Sequence, residues 1–179
     1  MTIYEQLKSD HRNVIALLDE LIAAEKDTPK RREMLVAKIG EELIPHARAE
    51  EAVLYNSMRD LDVAGGVVGH SYQEHLEAEA VFRSLQVTDA VNVNWVGGAK
   101  KLKAALEHHI AEEEGKVFPA AQQLFTNPEA EAMAEVFNRM KPAIRKQSFV
   151  GQSADMVVNM MPGRLRDSFA KFTNLPIAS

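Results

Sequence analysis

The chain has 179 residues, 46% hydrophobic and 26% charged, with a formal net charge of −5, which suits one soluble domain with a real core. That charge supplies no attraction to nucleic acid or an anionic membrane, and the absence of cysteine excludes disulfides, thiolate metal sites, iron–sulfur ligation and cysteine nucleophiles. Met1 to His11 carries charges throughout without the apolar run of a signal peptide, and nowhere do about 18 apolar residues run together, so a soluble cytoplasmic protein is expected.

Thr2 with Glu5 three residues on reads as a capping box opening a first helix. Ile3, Leu7, His11, Val14, Leu18 and Leu21 then recur at helical spacing, which puts His11 on the apolar stripe. Thr28-Pro29 ends that helix and starts the next. Its inward stripe is Leu35, Ile39, Leu43, His46, Glu50, Val53 and Ser57. Pro45 interrupts it, as a kink that aims His46 or as a tolerated irregularity, at a cost of about 3 kcal/mol. Gly65, Gly66 and Gly69 break the chain between two halves.

A third helix carries Val68, Ser71, His75, Ala78, Phe82 and Leu85 on one stripe. Its start is open, since Ser71 and Glu74 also make a capping box. A fourth opens near Asn94-Trp95 with Trp95, Leu102, Leu106, His109, Glu113, Val117 and Leu124, and Pro119 is expected to bend or end it. Asn127-Pro128-Glu129 predicts a fifth helix, with Asn127 as cap and Met133, Val136, Phe137, Met140 and Ile144 on its apolar side. Ser153 to Met161 and Arg164 to Phe172 read as two short helices beyond it.

Two stretches of this chain are copies of each other. Laying Pro45–Tyr55 over His108–Phe118 matches His46 with His109, Glu50 with Glu113, Glu51 with Glu114, and Tyr55 with Phe118. The spacing repeats too, 35 residues from His11 to His46 and 34 from His75 to His109, and Asp10 and Glu74 each stand directly before a histidine. A His and a Glu four apart on a helix point the same way, and paired imidazole and carboxylate suit iron, manganese or zinc. One histidine on an apolar stripe is usually a hydrogen-bonded core residue. Four of them, two followed one turn later by glutamate, reverse that reading, because burying such a set without a counter-charge costs several kcal/mol per ion. His108 falls about 100° off the stripe and reads as surface. Glu51, Glu112 and Glu114 read as solvated or as neighbours of the ligands.

With His11, His46-x-x-x-Glu50, His75 and His109-x-x-x-Glu113, the chain resembles the hemerythrin-like, or HHE cation-binding, family over roughly residues 1–126. The resemblance implies an all-α, up-down-up-down four-helix bundle, with residues 127–179 as a C-terminal helical extension. It also implies two non-haem iron ions, oxo- or hydroxo-bridged, shared by Glu50 and Glu113; zinc and manganese are the lesser alternatives. The matching ligand positions are His11, His46, Glu50, His75, His109 and Glu113. The reversed order and four-residue spacing argue against the Glu-x-x-His ferritin-like site.

Oxygen-carrying hemerythrins have two histidines four apart on the third helix, whereas Ser71 and Glu79 flank His75 at that spacing. His70 is five away, about 140° around a helix. A third helix starting upstream turns His70 away from His75, while one capped by Ser71 lets it fold back, and the apolar Val67 and Val68 favour the first. Each iron would then have about four protein ligands, leaving positions for a small molecule. Glu79, Tyr55 and Tyr72 are further candidates.

Three functional classes fit: an oxidoreductase whose centre reacts with peroxide or oxygen in oxidative or iron stress; an oxygen-, nitric oxide- or iron-sensing or storage module; and an interaction protein working through its C-terminal extension as a homodimer or with a protein partner. The cluster-repair members of the family carry a cysteine-bearing segment, and this chain has no cysteine.

Overall fold

The computed structural model describes residues 1–26, 28–61, 67–90 and 94–145. The helices expected at Ser153–Met161 and Arg164–Phe172, and the glycines at 65 and 66, lie outside these.

Every described element is helical. Helix α1 (Ile3–Ala23) opens on the expected capping box: Thr2 Oγ1 accepts from Glu5 N at 3.4 Å, and Glu5 Oε2 accepts from Thr2 N at 2.8 Å. Helix α2 (Pro29–Glu50) is capped by Thr28 with Pro29 in its first turn. It carries Pro45 without a break, passes through a π-helical turn at Glu51–Tyr55 and continues as α3 (Asn56–Asp60). Helix α4 (Val67–Ala90) begins upstream of Ser71, which decides between the two starts the sequence allowed.

Helix α5 (Trp95–Glu112) follows Asn94, whose φ of 41° is the left-handed conformation that asparagine tolerates. A second π-helical turn, Glu113–Val117, leads into α6 (Phe118–Leu124). Pro119 therefore does not end the fourth helical segment: it sits in the first turn of α6, just after the wide turn. Helix α7 (Asn127–Arg145) is tied one residue earlier than expected. Thr126, rather than Asn127, donates to Glu129 Oε2 from its N–H at 2.9 Å and its hydroxyl at 2.8 Å, and its carbonyl accepts from Ala130 N.

Helices α1, α2, α4 and α5 form a ring in which α1 touches α2 and α5, and α4 touches the same two. This is the expected hemerythrin-like helical bundle, and α7 lies along α1 and α2. The inward stripes are buried as predicted except at Leu124 and Ile144, which are partly buried, and the core is not continuous. One apolar cluster gathers Ile3, Leu7, Val53, Met58, Val68, Phe118 and, from α7, Met133 and Phe137. The other gathers Val14, Leu18, Leu35, Ile39, Phe82, Trp95 and Leu102. His11, His46, Glu50, His75, His109 and Glu113 fall between the two along their helices, and all six are buried. The bundle is two dry halves with a polar layer sandwiched between them.

Gly40 fixes how closely α2 approaches α4. A Cβ there would lie 2.6 Å from Cζ of Phe82, whose ring is fully buried, whereas nothing lies within 4 Å of the same position at Gly69. Gly40→Val should lower stability by about 1–3 kcal/mol through overpacking. Gly69→Ala should raise it by about 0.5–1 kcal/mol. Urea titrations of both variants give the comparison, and equal effects would refute the close-packing account.

Candidate metal centre

The four inward histidines are each held from behind by a carboxylate. His46 Nδ1 donates to Asp10 Oδ2 at 3.2 Å, and His109 Nδ1 donates to Glu74 Oε2 at 3.0 Å. His75 Nδ1 donates to Glu51 Oε1 at 3.0 Å, and His11 Nδ1 to Glu114 Oε1 at 3.1 Å. Asp10 and Glu74 are the acids standing directly before a histidine in the sequence, and each serves the histidine of the neighbouring helix. Glu51 and Glu114 directly follow Glu50 and Glu113, and each reaches across to the other half of the chain. In a neutral ring, a proton held on Nδ1 leaves Nε2 with its lone pair, as a metal-ligating imidazole requires.

The Nε2 atoms converge on Glu50 and Glu113. Glu50 Oε2 lies 3.4 Å from His46 Nε2 and 3.5 Å from His75 Nε2. Glu113 Oε2 lies 3.1 Å from His11 Nε2 and 3.8 Å from His109 Nε2. The rings group in pairs: His11 with His46 at 5.1 Å between centroids, and His75 with His109 at 4.6 Å. Each glutamate thus lies against one imidazole from each pair. Both carboxylates are completely buried, and Glu50 Oε1, Glu50 Oε2, Glu113 Oε2 and His11 Nε2 have no hydrogen-bond partner. Four buried electron-pair donors left bare at one point are costly without a cation. This donor set suits metal binding.

Without an ion, the centre distributes protons unevenly. Burial and the charge of Glu50 push Glu113 well above the usual carboxylate range. Burial also disfavours ionisation of Glu50, but the close approach of Glu113, His46 and His75 outweighs it and holds Glu50 low. His75 rises to about 9, because Glu50 and Glu51 overcome its burial. His11 falls to about 4 through burial and the nearby His46. The 3.1 Å contact between His75 Nε2 and His109 Nε2 then has a charged donor and a neutral acceptor.

The surroundings place the remaining candidates. Tyr55 donates its hydroxyl to Glu113 Oε1 at 3.2 Å and stacks on His75, while Phe118, its match in the repeat, stacks on His11. Tyr72 bonds to Asn56 Oδ1 at 2.7 Å, away from the layer. Glu79 pairs with Arg48 at 2.7 Å. Both border a cavity of about 20 Å³ that is also lined by His11, His46, His75 and His109, with Val14, Leu43 and Leu106 as apolar wall. That is room for about one water-sized molecule. His70 is exposed on α4 and does not join the layer, as the upstream helix start implied. His108 is exposed as well.

Helix α7 also reaches the centre. Lys141 is nearly buried and donates to Asp10 Oδ2 at 2.5 Å, and the Phe137 ring meets His46 edge-on at 5.8 Å. The sequence pattern contained no signal for this link, because a lysine on an amphipathic helix normally reads as solvent-facing.

The hemerythrin HHE cation-binding domain model matches residues 2–121. A protein of Nostoc sp. (strain PCC 7120) described as a DNA nickase is 24% identical over 147 residues, which cover 82% of this chain and 41% of that protein. This chain therefore spans about two-fifths of that relative's length. No solved structure matches. Among the described residues, no helix is long and apolar enough to cross a membrane.

Two outcomes follow from the donor arrangement. His75 is charged at neutral pH without an ion. Its raised pKa adds stability that is complete below pH about 6.5 and lost as pH rises through about 9. An ion must displace that proton, so metal uptake at pH 7 should release protons and tighten as pH rises. Indicator-dye titration tests this, and uptake without proton release contradicts it. Asp10→Asn, which weakens the grip on His46, should lower metal affinity about 10–100-fold in competition with a chelator; unchanged affinity would show that the carboxylate is not orienting the ring.

Proposed function

The chain belongs to the hemerythrin HHE cation-binding domain family, and on that premise we propose that it holds two non-haem iron ions in the polar layer. His11 and His46 would hold one, His75 and His109 the other, with Glu50 and Glu113 available to both. The bare oxygens of the two fully buried glutamates, each set against one imidazole of each pair, carry this reading. Nitrogen and oxygen donors without sulfur are compatible with iron, manganese or zinc, and iron is the metal that the family resemblance implies.

When bound, the ions supply electron-transfer chemistry and coordination positions open to peroxide, oxygen or nitric oxide. The chain's own residues prepare that chemistry. Asp10, Glu51, Glu74 and Glu114 keep the imidazole protons on Nδ1, and Tyr55 supplies a hydroxyl to one glutamate. Val14, Leu43 and Leu106 give the small cavity beside the histidines an apolar wall. A peroxide- or oxygen-reactive oxidoreductase active in oxidative or iron stress fits this arrangement.

A sensing role is the second reading, and the contact of α7 with the centre favours it. Lys141 on Asp10 and Phe137 on His46 would carry any movement of His46 into the C-terminal helix. The description "DNA nickase" concerns the longer relative, and no feature of the polar layer points to a phosphodiester.

Iron-replete protein should contain two irons per chain, and Glu50→Ala with Glu113→Ala should abolish the pair. Elemental analysis with an optical spectrum decides this. Trace iron, with no zinc or manganese in its place, would defeat the proposal. Peroxide turnover by the loaded protein supports the oxidoreductase, whereas ligand-dependent hydrogen exchange in α7 without turnover supports the sensor.

A further inference from the structure

Glu74 has two oxygens with different surroundings. Oε2 accepts from His109 Nδ1 and so belongs to the support of the buried centre. Oε1 faces the other way, is buried and has no hydrogen-bond partner, although the side chain as a whole is only 8% exposed. Two histidines that the centre does not use stand over it. His70 Nε2 lies 3.5 Å from Oε1, one helical turn before it on α4, and His108 Nε2 lies 3.4 Å from it, arriving from α5. All three donor atoms lie within 4.8 Å of one another. Glu112, one turn beyond His108, is held by Lys116 at 2.6 Å and stays outside the set.

We propose that His70, Glu74 and His108 form a second, surface site for one divalent transition-metal ion, joined to the buried centre through Glu74 and His109. Metal–nitrogen and metal–oxygen bonds of about 2.1 Å with tetrahedral angles put neighbouring donors about 3.4 Å apart. The two spacings to Oε1 match that edge. Two imidazoles and one carboxylate, with solvent on the open side, suit zinc, iron or cobalt and leave positions for water. The histidines are exposed and bring no charge of their own when neutral, so the buried carboxylate oxygen is the anchoring anion. The site itself stands on these three residues alone. Only its link to the interior rests on the reading of the buried centre above.

That link has a definite sense. An ion on Oε1 draws electron density from the carboxylate, weakens Oε2 as acceptor for His109 Nδ1, and makes His109 a poorer donor at Nε2. The surface site would thus adjust the buried one through a single shared carboxylate.

Iron-loaded protein titrated with Zn(II) and analysed for zinc should take up one equivalent beyond any zinc that replaces iron. The His70→Ala/His108→Ala protein should bind that equivalent at least 100-fold more weakly while keeping its iron. His70→Gln/His108→Gln should behave in the same way, which guards against an effect of the smaller side chains on the fold. An extra equivalent that persists in both double variants, or is absent from the unmodified chain, overturns the site. Zinc that binds at these residues without altering the iron absorption bands overturns the link through Glu74. A chain that takes up no iron yet binds one zinc, lost in the variants, would retain this surface site and defeat the di-iron reading instead.

Discussion

Two carboxylates, Glu50 and Glu113, meet fully buried in the middle of a helical bundle, and most of the surrounding structure answers that fact. Without a cation they can share the site only by holding one of them protonated, which is the state that the raised Glu113 and lowered Glu50 describe. The histidines around them are turned so that Nε2, rather than Nδ1, faces the same point. Buried carboxylates set this close together are costly by themselves and become favourable when positive charge lies between them. The apolar clusters on both sides then act as walls that keep solvent from performing that task.

Much of this was legible in the sequence because helical periodicity is a strong signal. Every residue of the inward stripes of α1, α2 and α4 is buried, and the histidines lie on those stripes between leucines and valines. The repeat also carried information about the supports. Asp10 and Glu74, noted as acids preceding histidines, bond to His46 and His109, and Glu51 and Glu114 occupy matched positions in the two copies. What the pattern could not supply was direction across the bundle. Adjacency suggests that Asp10 would attend His11, but a residue's immediate neighbour on a helix points about 100° away, so each acid serves the next helix instead.

The two π-helical turns were not legible, and Pro119 was misleading for the same reason. A strict 3.6-residue reading assumes that each turn is equal, whereas both copies of the repeat contain a wider one beginning at or just after the glutamate. Such turns have no distinct hydrophobic signature, and they tend to occur at functional positions. Here each displaces the following stretch so that Glu51 and Glu114 reach across to the opposite half, while Tyr55 and Phe118 come to lie flat on imidazoles. Lys141 was hidden by a different effect. Its partner, Asp10, is 131 residues away, and no local pattern reports a contact over that span.

The duplication is nearly a two-fold symmetry in its chemistry as well as its chain. Asp10 corresponds to Glu74, Glu51 to Glu114, and Tyr55 on His75 to Phe118 on His11. Beside the shared glutamates, one atom departs from it. Tyr55 carries a hydroxyl that reaches Glu113, and Phe118 has nothing to offer Glu50. A centre built from two equal halves would have interchangeable faces, and a visiting molecule would find no reason to prefer either. The single phenolic oxygen gives this one a front and a back.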